Sequence, residues 1–207
     1  MNYTDMILEK YQLISKIPGI EIHDFLIRDK CDESELKQVA ETLRQKIPDD
    51  LLDFYSQTNG FKFSWSYSKE DVKLYGFCNI VDLYTSIYGY DRKDNVIKEN
   101  RFEDIFWNDS FPSEVVQNLK KHYLLESFDG ESENTTFIME DNNVQLFDIY
   151  EDQVSLYSIT LCDYLTGVIT WGGIFTLREE FLKKESVPKL PFNDESSLFF
   201  KLSGNKL

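Results

Sequence analysis

Residues 47–63 read IPDDLLDFYSQTNGFKF, and they hold a helix start, a helix stop and the beginning of a strand. Pro48 suits the first helical position, where its fixed φ fits and its missing N–H would have had no partner. Asp49 and Asp50 then lie against the positive end of the helix dipole. Leu51, Leu52 and Tyr55 make an apolar stripe, and Asn59 with Gly60 supplies the left-handed residues that commonly close a helix. The spacing predicts a helix over about 48–58. Directly after it, Phe61, Phe63, Trp65 and Tyr67 alternate with Lys62, Ser64 and Ser66, the period of a strand with one buried face. Those aromatics are read as sheet core, the other reading being a face open for stacking on a base or sugar.

Upstream, Ile7, Leu8, Tyr11 and Ile14 set a helical stripe over 4–16, which Pro18 and Gly19 end. Ile20, Ile22, Phe25 and Ile27 follow in extended spacing. Asp32 reads as an N-cap with Glu35 in the capping-box position, and Leu36, Val39, Ala40 and Leu43 share one face, so a helix is predicted over 33–46. It runs straight into the Pro48 helix, making a helical hairpin to pack on the sheet.

Downstream, a polar turn over 68–71 joins the aromatic strand to a return strand carrying Val72, Leu74 and Phe77. Asp82 caps a short helix through Leu83, Tyr84 and Ile87. Gly89 and the charged run 91–103 read as an exposed excursion, with Tyr88, Tyr90 and Trp107 as exposed aromatics of the kind that anchor protein interfaces. A short helix is predicted at Val115, Val116 and Leu119, then strands over 123–128, 134–140, 144–150 and 154–159, with Asp141, Asn142 and Asn143 as a turn. Short connections make this an antiparallel meander, because parallel strands need long crossovers. Thr160 and Asp163 start a closing helix, Gly172 and Gly173 break it, and Phe175, Leu177, Phe181 and Leu182 form a last helix. Leu198, Phe199 and Phe200 dock the tail. The predicted fold class is α+β, an antiparallel sheet meander packed against N-terminal and C-terminal helices. Residues 1–30 are an N-terminal extension, 31–184 the domain and 185–207 a C-terminal tail.

With 207 residues, 42% apolar and 15% aromatic, the chain can bury a sizeable core. No run approaches the ~20 apolar residues that span a bilayer. Asp5, Glu9 and Lys10 interrupt any apolar secretory segment, so a cytoplasmic location is expected. Cys31, Cys78 and Cys162 are odd in number and lack metal-site spacing, and read as buried free thiols.

The net charge is -15 and unevenly spread. Residues 122–177 contain no Lys or Arg, yet hold ten acids: Glu126, Asp129, Glu131, Glu133, Glu140, Asp141, Asp148, Glu151, Asp152 and Asp163. Such a segment repels phosphates and anionic lipid and attracts a basic partner, so neither nucleic acid nor membrane is an expected partner. The plainer explanation is that these acids occupy the solvated side of a sheet and keep the protein in solution.

The order of a hydrophobic residue with proline, an acidic pair, leucines, an aromatic pair and Asn-Gly resembles the SMI1/KNR4 family, also called the SUKH superfamily. Ile47, Pro48, Leu51, Leu52, Phe54, Tyr55, Asn59 and Gly60 carry the resemblance. A second match lies over 128–150, where a turn with Asp129, Gly130 and Glu131 precedes two short strands. The tail after Lys184 and residues 1–30 exceed a minimal domain, and the family's tryptophan-rich start of the later sheet is missing. The resemblance implies a non-catalytic immunity protein that neutralises a cognate toxin, often a nuclease. Fungal members of the family imply the alternative, an intracellular regulatory scaffold of cell-wall synthesis.

No catalytic constellation opposes a binding role. His23 and His122 stand apart from any H-E-x-x-H pattern, and no phosphate-cradling glycine loop or nucleophile elbow is present. Asp129, Glu131 and Glu133 alternate faintly as in a calcium loop, but the later Gly and terminal Glu are absent. No cofactor or metal is implied, and the chain is not expected to be an enzyme. The residues expected at the partner interface are Asp129, Glu131, Glu133, Asp141 and Trp107, facing a toxin domain with a basic surface.

Overall fold

The structure, a computed structural model, describes residues 2–69, 72–88, 122–128, 133–140, 142–150 and 153–174. In chain order the elements are α1 (Tyr3–Ile14), β1 (Ile20–Ile27), α2 (Glu33–Leu43), α3 (Asp49–Tyr55), β2 (Phe61–Lys69), β3 (Val72–Ile80), α4 (Leu83–Tyr88), β4 (Tyr123–Ser127), β5 (Glu133–Glu140), β6 (Asn143–Tyr150), β7 (Gln153–Leu156) and α5 (Leu161–Thr170). The helices predicted around Val115 and Phe181, the tail, Tyr90 and Trp107 lie outside the described residues.

Four of these helices begin on a side chain that accepts a backbone N–H the helix itself leaves unpaired. Asn2 serves α1, Asp82 serves α4 and Thr160 serves α5. On α2, Asp32 accepts from the Glu35 N–H at 2.8 Å and Glu35 accepts from the Asp32 N–H at 2.8 Å, the predicted capping box.

The exception is α3, which departs in two details from what its sequence predicts. Pro48 is the residue before the first turn, with extended φ -53 and ψ 145, so the helix starts on Asp49 and ends at Tyr55. The acidic pair therefore occupies its first two positions. Of the two residues expected to be left-handed, only Gly60 is, at φ 84. A Cβ there would collide with the carbonyl oxygens of Ile80 and Val81, so glycine is required twice over. Asn59 plays a different part. Its side-chain oxygen accepts the Leu83 N–H at 2.8 Å and so ties the end of the α3 turn to the start of α4.

The seven strands lie side by side in sequence order, each antiparallel to the next. This is the predicted meander. Phe61, Phe63, Trp65 and Tyr67 point into the core, as their alternation demands, which makes them core rather than a stacking platform. The first thirty residues share this core and sheet: Tyr3, Ile7 and Ile14 are buried, and β1 pairs with β2. Helices α1 and α3 pack against α5, and α3 and α5 reach β6. The opposite face is also buried at its centre, at Leu124, Thr136 and Ile149.

One seam interrupts the sheet. β3 and β4 are in register only at Ile80 and Glu126. Further along β3, the Phe77 N–H donates instead to the Gly173 carbonyl at 2.8 Å, and Gly76 bridges Ile174. The Gly172–Gly173 turn that ends α5 thus returns the chain into the sheet, held by the Trp65 indole N–H donating to the Gly172 carbonyl at 2.7 Å. Both glycines have positive φ.

Candidate partner-binding surface

The base-free segment builds β4 to β7 and α5, and its described acids are not all on the surface. Glu126 is the clearest correction, because it is fully buried. A register shift between Leu124 and Glu126 places it opposite Thr135 beside the seam. The Tyr164 hydroxyl donates to its Oε2 at 2.5 Å, and the Asn79 N–H donates to its Oε1 at 3.3 Å. Since Tyr164 gives its one proton to Glu126, the Thr135 hydroxyl at 2.7 Å must donate to Tyr164. A buried carboxyl group needs such partners, and here they come from α5 and β3.

Two further acids are engaged internally. Asp148 accepts from the Tyr157 hydroxyl at 3.0 Å. Asp163 accepts from the Thr160 hydroxyl at 2.8 Å, completing the start of α5. Glu140 is exposed at the end of β5, and Glu133 is half-buried at its start, opposite Tyr150. Asp129, Glu131, Asp141 and Trp107 lie outside the described residues. Tyr88, expected as an exposed anchor, is only 6% exposed, and its hydroxyl donates to Thr42 Oγ1 at 3.0 Å. The helical run from Asp82 continues through it and turns it inward against α2.

The structure adds to this segment a neighbour from the first half of the chain. Helix α3 packs against β6, and this brings Asp49, at the start of α3, near the side chain of Asn142 in the β5–β6 turn. Asp49 also pairs with Lys46 at 2.6 Å. The Lys46 bond, then the nearby Asn142 side chain and the Lys46 charge, hold the Asp49 carboxyl below its ordinary range. The exposed acid Asp49 therefore stands near the turn that joins β5 to β6. Sequence alone held no signal for this contact, since its two sides come from distant parts of the chain.

The remaining reactive groups are dispersed. His23 is exposed and bonded to Ser66 Oγ at 2.8 Å. His122 is buried against the Phe147 ring with Nδ1 2.8 Å from Thr136 Oγ1, and burial lowers its pKa to about 4. Cys31 and Cys78 are buried, Cys162 is partly exposed, and none forms a disulfide. Burial pushes the Cys31 thiol up to about 12. Among the described residues, no three His, Cys, Asp or Glu side chains gather as metal ligands. A hollow of about 340 Å³ between α1 and α5 is lined by Met6, Glu9, Lys10, Leu13, Ile169 and Thr170.

Comparison with protein-family models, with curated proteins and with solved structures returns no match for this chain.

Proposed function

We propose that this chain is a non-catalytic immunity protein of the SMI1/KNR4 type, which binds and neutralises a cognate bacterial toxin in the cytoplasm. The observation that carries the reading is the packing of α3 against β6, because it joins the acidic start of α3 to the base-free half of the sheet. A toxin that cuts nucleic acid must present lysines and arginines to phosphate. Carboxylates grouped on one side of an inhibitor offer those side chains the charge they are built to bind, steering encounter and occluding the site. Also in keeping with the reading, no described helix is long and apolar enough to cross a membrane.

Reversing charge at Asp129, Glu131 and Glu133 to Lys, alone and together with Asp49→Lys, tests it. Association with the toxin domain should slow by tenfold or more at low salt, with a weaker salt dependence. An unchanged rate and unchanged salt dependence would refute the acidic surface. Pull-down of cell-wall-synthesis enzymes in place of a toxin would favour the scaffold reading.

A further inference from the structure

Among the described residues the sheet is a seven-stranded meander that does not close, and it treats its two edges differently. β1 carries Glu21, His23 and Asp24, and its register with β2 shifts between Ile22 and Asp24. Charges and bulges are the usual guards against an added strand. β7 has neither. Its sequence is Gln-Val-Ser-Leu, without charge, proline or glycine, and it runs in unbroken register along β6.

The exposed side of β7 is also apolar. Val154 is 38% exposed and Leu156 56%. Val154 stands opposite Ile149 and Leu156 opposite Phe147, on the sheet face away from the helices. Each ends a row that is buried further in, so the apolar layer stops at two uncovered side chains. The backbone agrees. The Tyr157 N–H donates to the Leu146 carbonyl, so odd-numbered residues of this strand pair with β6 while Val154 and Leu156 turn their N–H and C=O outward. Among the described residues no strand pairs with that edge.

We infer that β7 receives an eighth strand, an extended segment of a basic partner protein whose apolar residues alternate with Lys or Arg. Strand addition to an open edge gives affinity through backbone hydrogen bonds and specificity through alternate side chains. The apolar residues of that segment cover Val154 and Leu156, and its cations complement the charge of residues 122–177, whose sequence holds ten acids and no Lys or Arg. A second copy of the chain is disfavoured as the occupant, because each copy carries -15. The inference rests on the proposed acidic interface and names which edge of it is used.

The test is titration of isotope-labelled full-length chain with a synthetic peptide of alternating Lys and Val, against a control of alternating Glu and Val. The basic peptide should slow amide exchange at Val154 and Leu156 and bind at least tenfold tighter than the acidic one. Val154→Pro removes an outward N–H without touching the β6 ladder and should weaken binding at least tenfold. Leu156→Lys should do the same by charge, and covers the case in which the proline variant does not fold. Binding of the basic peptide at β1, equal binding of both peptides, no binding, or undiminished binding by Leu156→Lys would overturn the inference. Because the peptide reads only its place on the sheet, this result stands or falls separately from toxin neutralisation in cells.

Discussion

Tyr164 of α5 donates to the buried carboxyl group of Glu126 at 2.5 Å, beside the seam where β3 and β4 separate. A helix that closes the domain is thereby fastened to a strand that begins the second half of the sheet. Tyr164→Phe removes this buried bond and the acceptor for Thr135. The loss should be about 2–3 kcal/mol, read as a lower urea midpoint with an unchanged slope. A loss below about 0.5 kcal/mol would mean the contact is incidental.

The junction after α3 gives a sharper contrast. Gly60→Ala must place a Cβ at φ 84 against the Ile80 and Val81 carbonyls, and should cost at least about 2 kcal/mol. Asn59→Ala only removes the acceptor for the Leu83 N–H and should cost about 1 kcal/mol. Chemical denaturation of both variants checks the order, which equal costs would contradict.

His122 makes stability depend on acidity. Its pKa falls to about 4 because burial disfavours the charged ring, so the unfolded chain takes up its proton first, near the ordinary value of about 6.5. The contribution is complete above about pH 6.5 and is lost as pH falls from there toward 4, by on the order of 2–3 kcal/mol. His122→Gln should flatten this window in a series of urea midpoints between pH 7 and pH 4.5. The same slope in the variant would assign the acid sensitivity elsewhere.

The thiols should differ in reactivity. Alkylation of the native protein should label Cys162 first, with Cys31 and Cys78 modified only on unfolding, since both are buried and the Cys31 thiol is held protonated. Peptide mapping after brief iodoacetamide treatment checks this, and early labelling of Cys31 would contradict its burial.

What the sequence revealed was local. The capping box at Asp32 and Glu35, the alternation of Phe61 to Tyr67 and the short turn before Asn143 each arise from neighbours in the chain, and each appears in the structure. Asn59 and Glu126 escape such reasoning because their roles depend on partners far away: the start of α4 for one, Tyr164 and Asn79 for the other. Tyr88 follows the same rule, since the charged run after it disguises a residue that packs on α2. Charge counting finds the acidic half of the chain but cannot separate buried carboxylates from surface ones. It also misses Asp49, which reaches that half only through the fold.

The most direct measurement is survival of cells that express the toxin domain proposed as this chain's partner, with and without the chain itself. Growth should be restored by the intact protein and lost again with the combined lysine reversals at Asp49, Asp129, Glu131 and Glu133, provided the variant accumulates to the same level. Death of the cells despite the intact protein would contradict the immunity reading, and full rescue by the reversed variant would contradict its acidic surface.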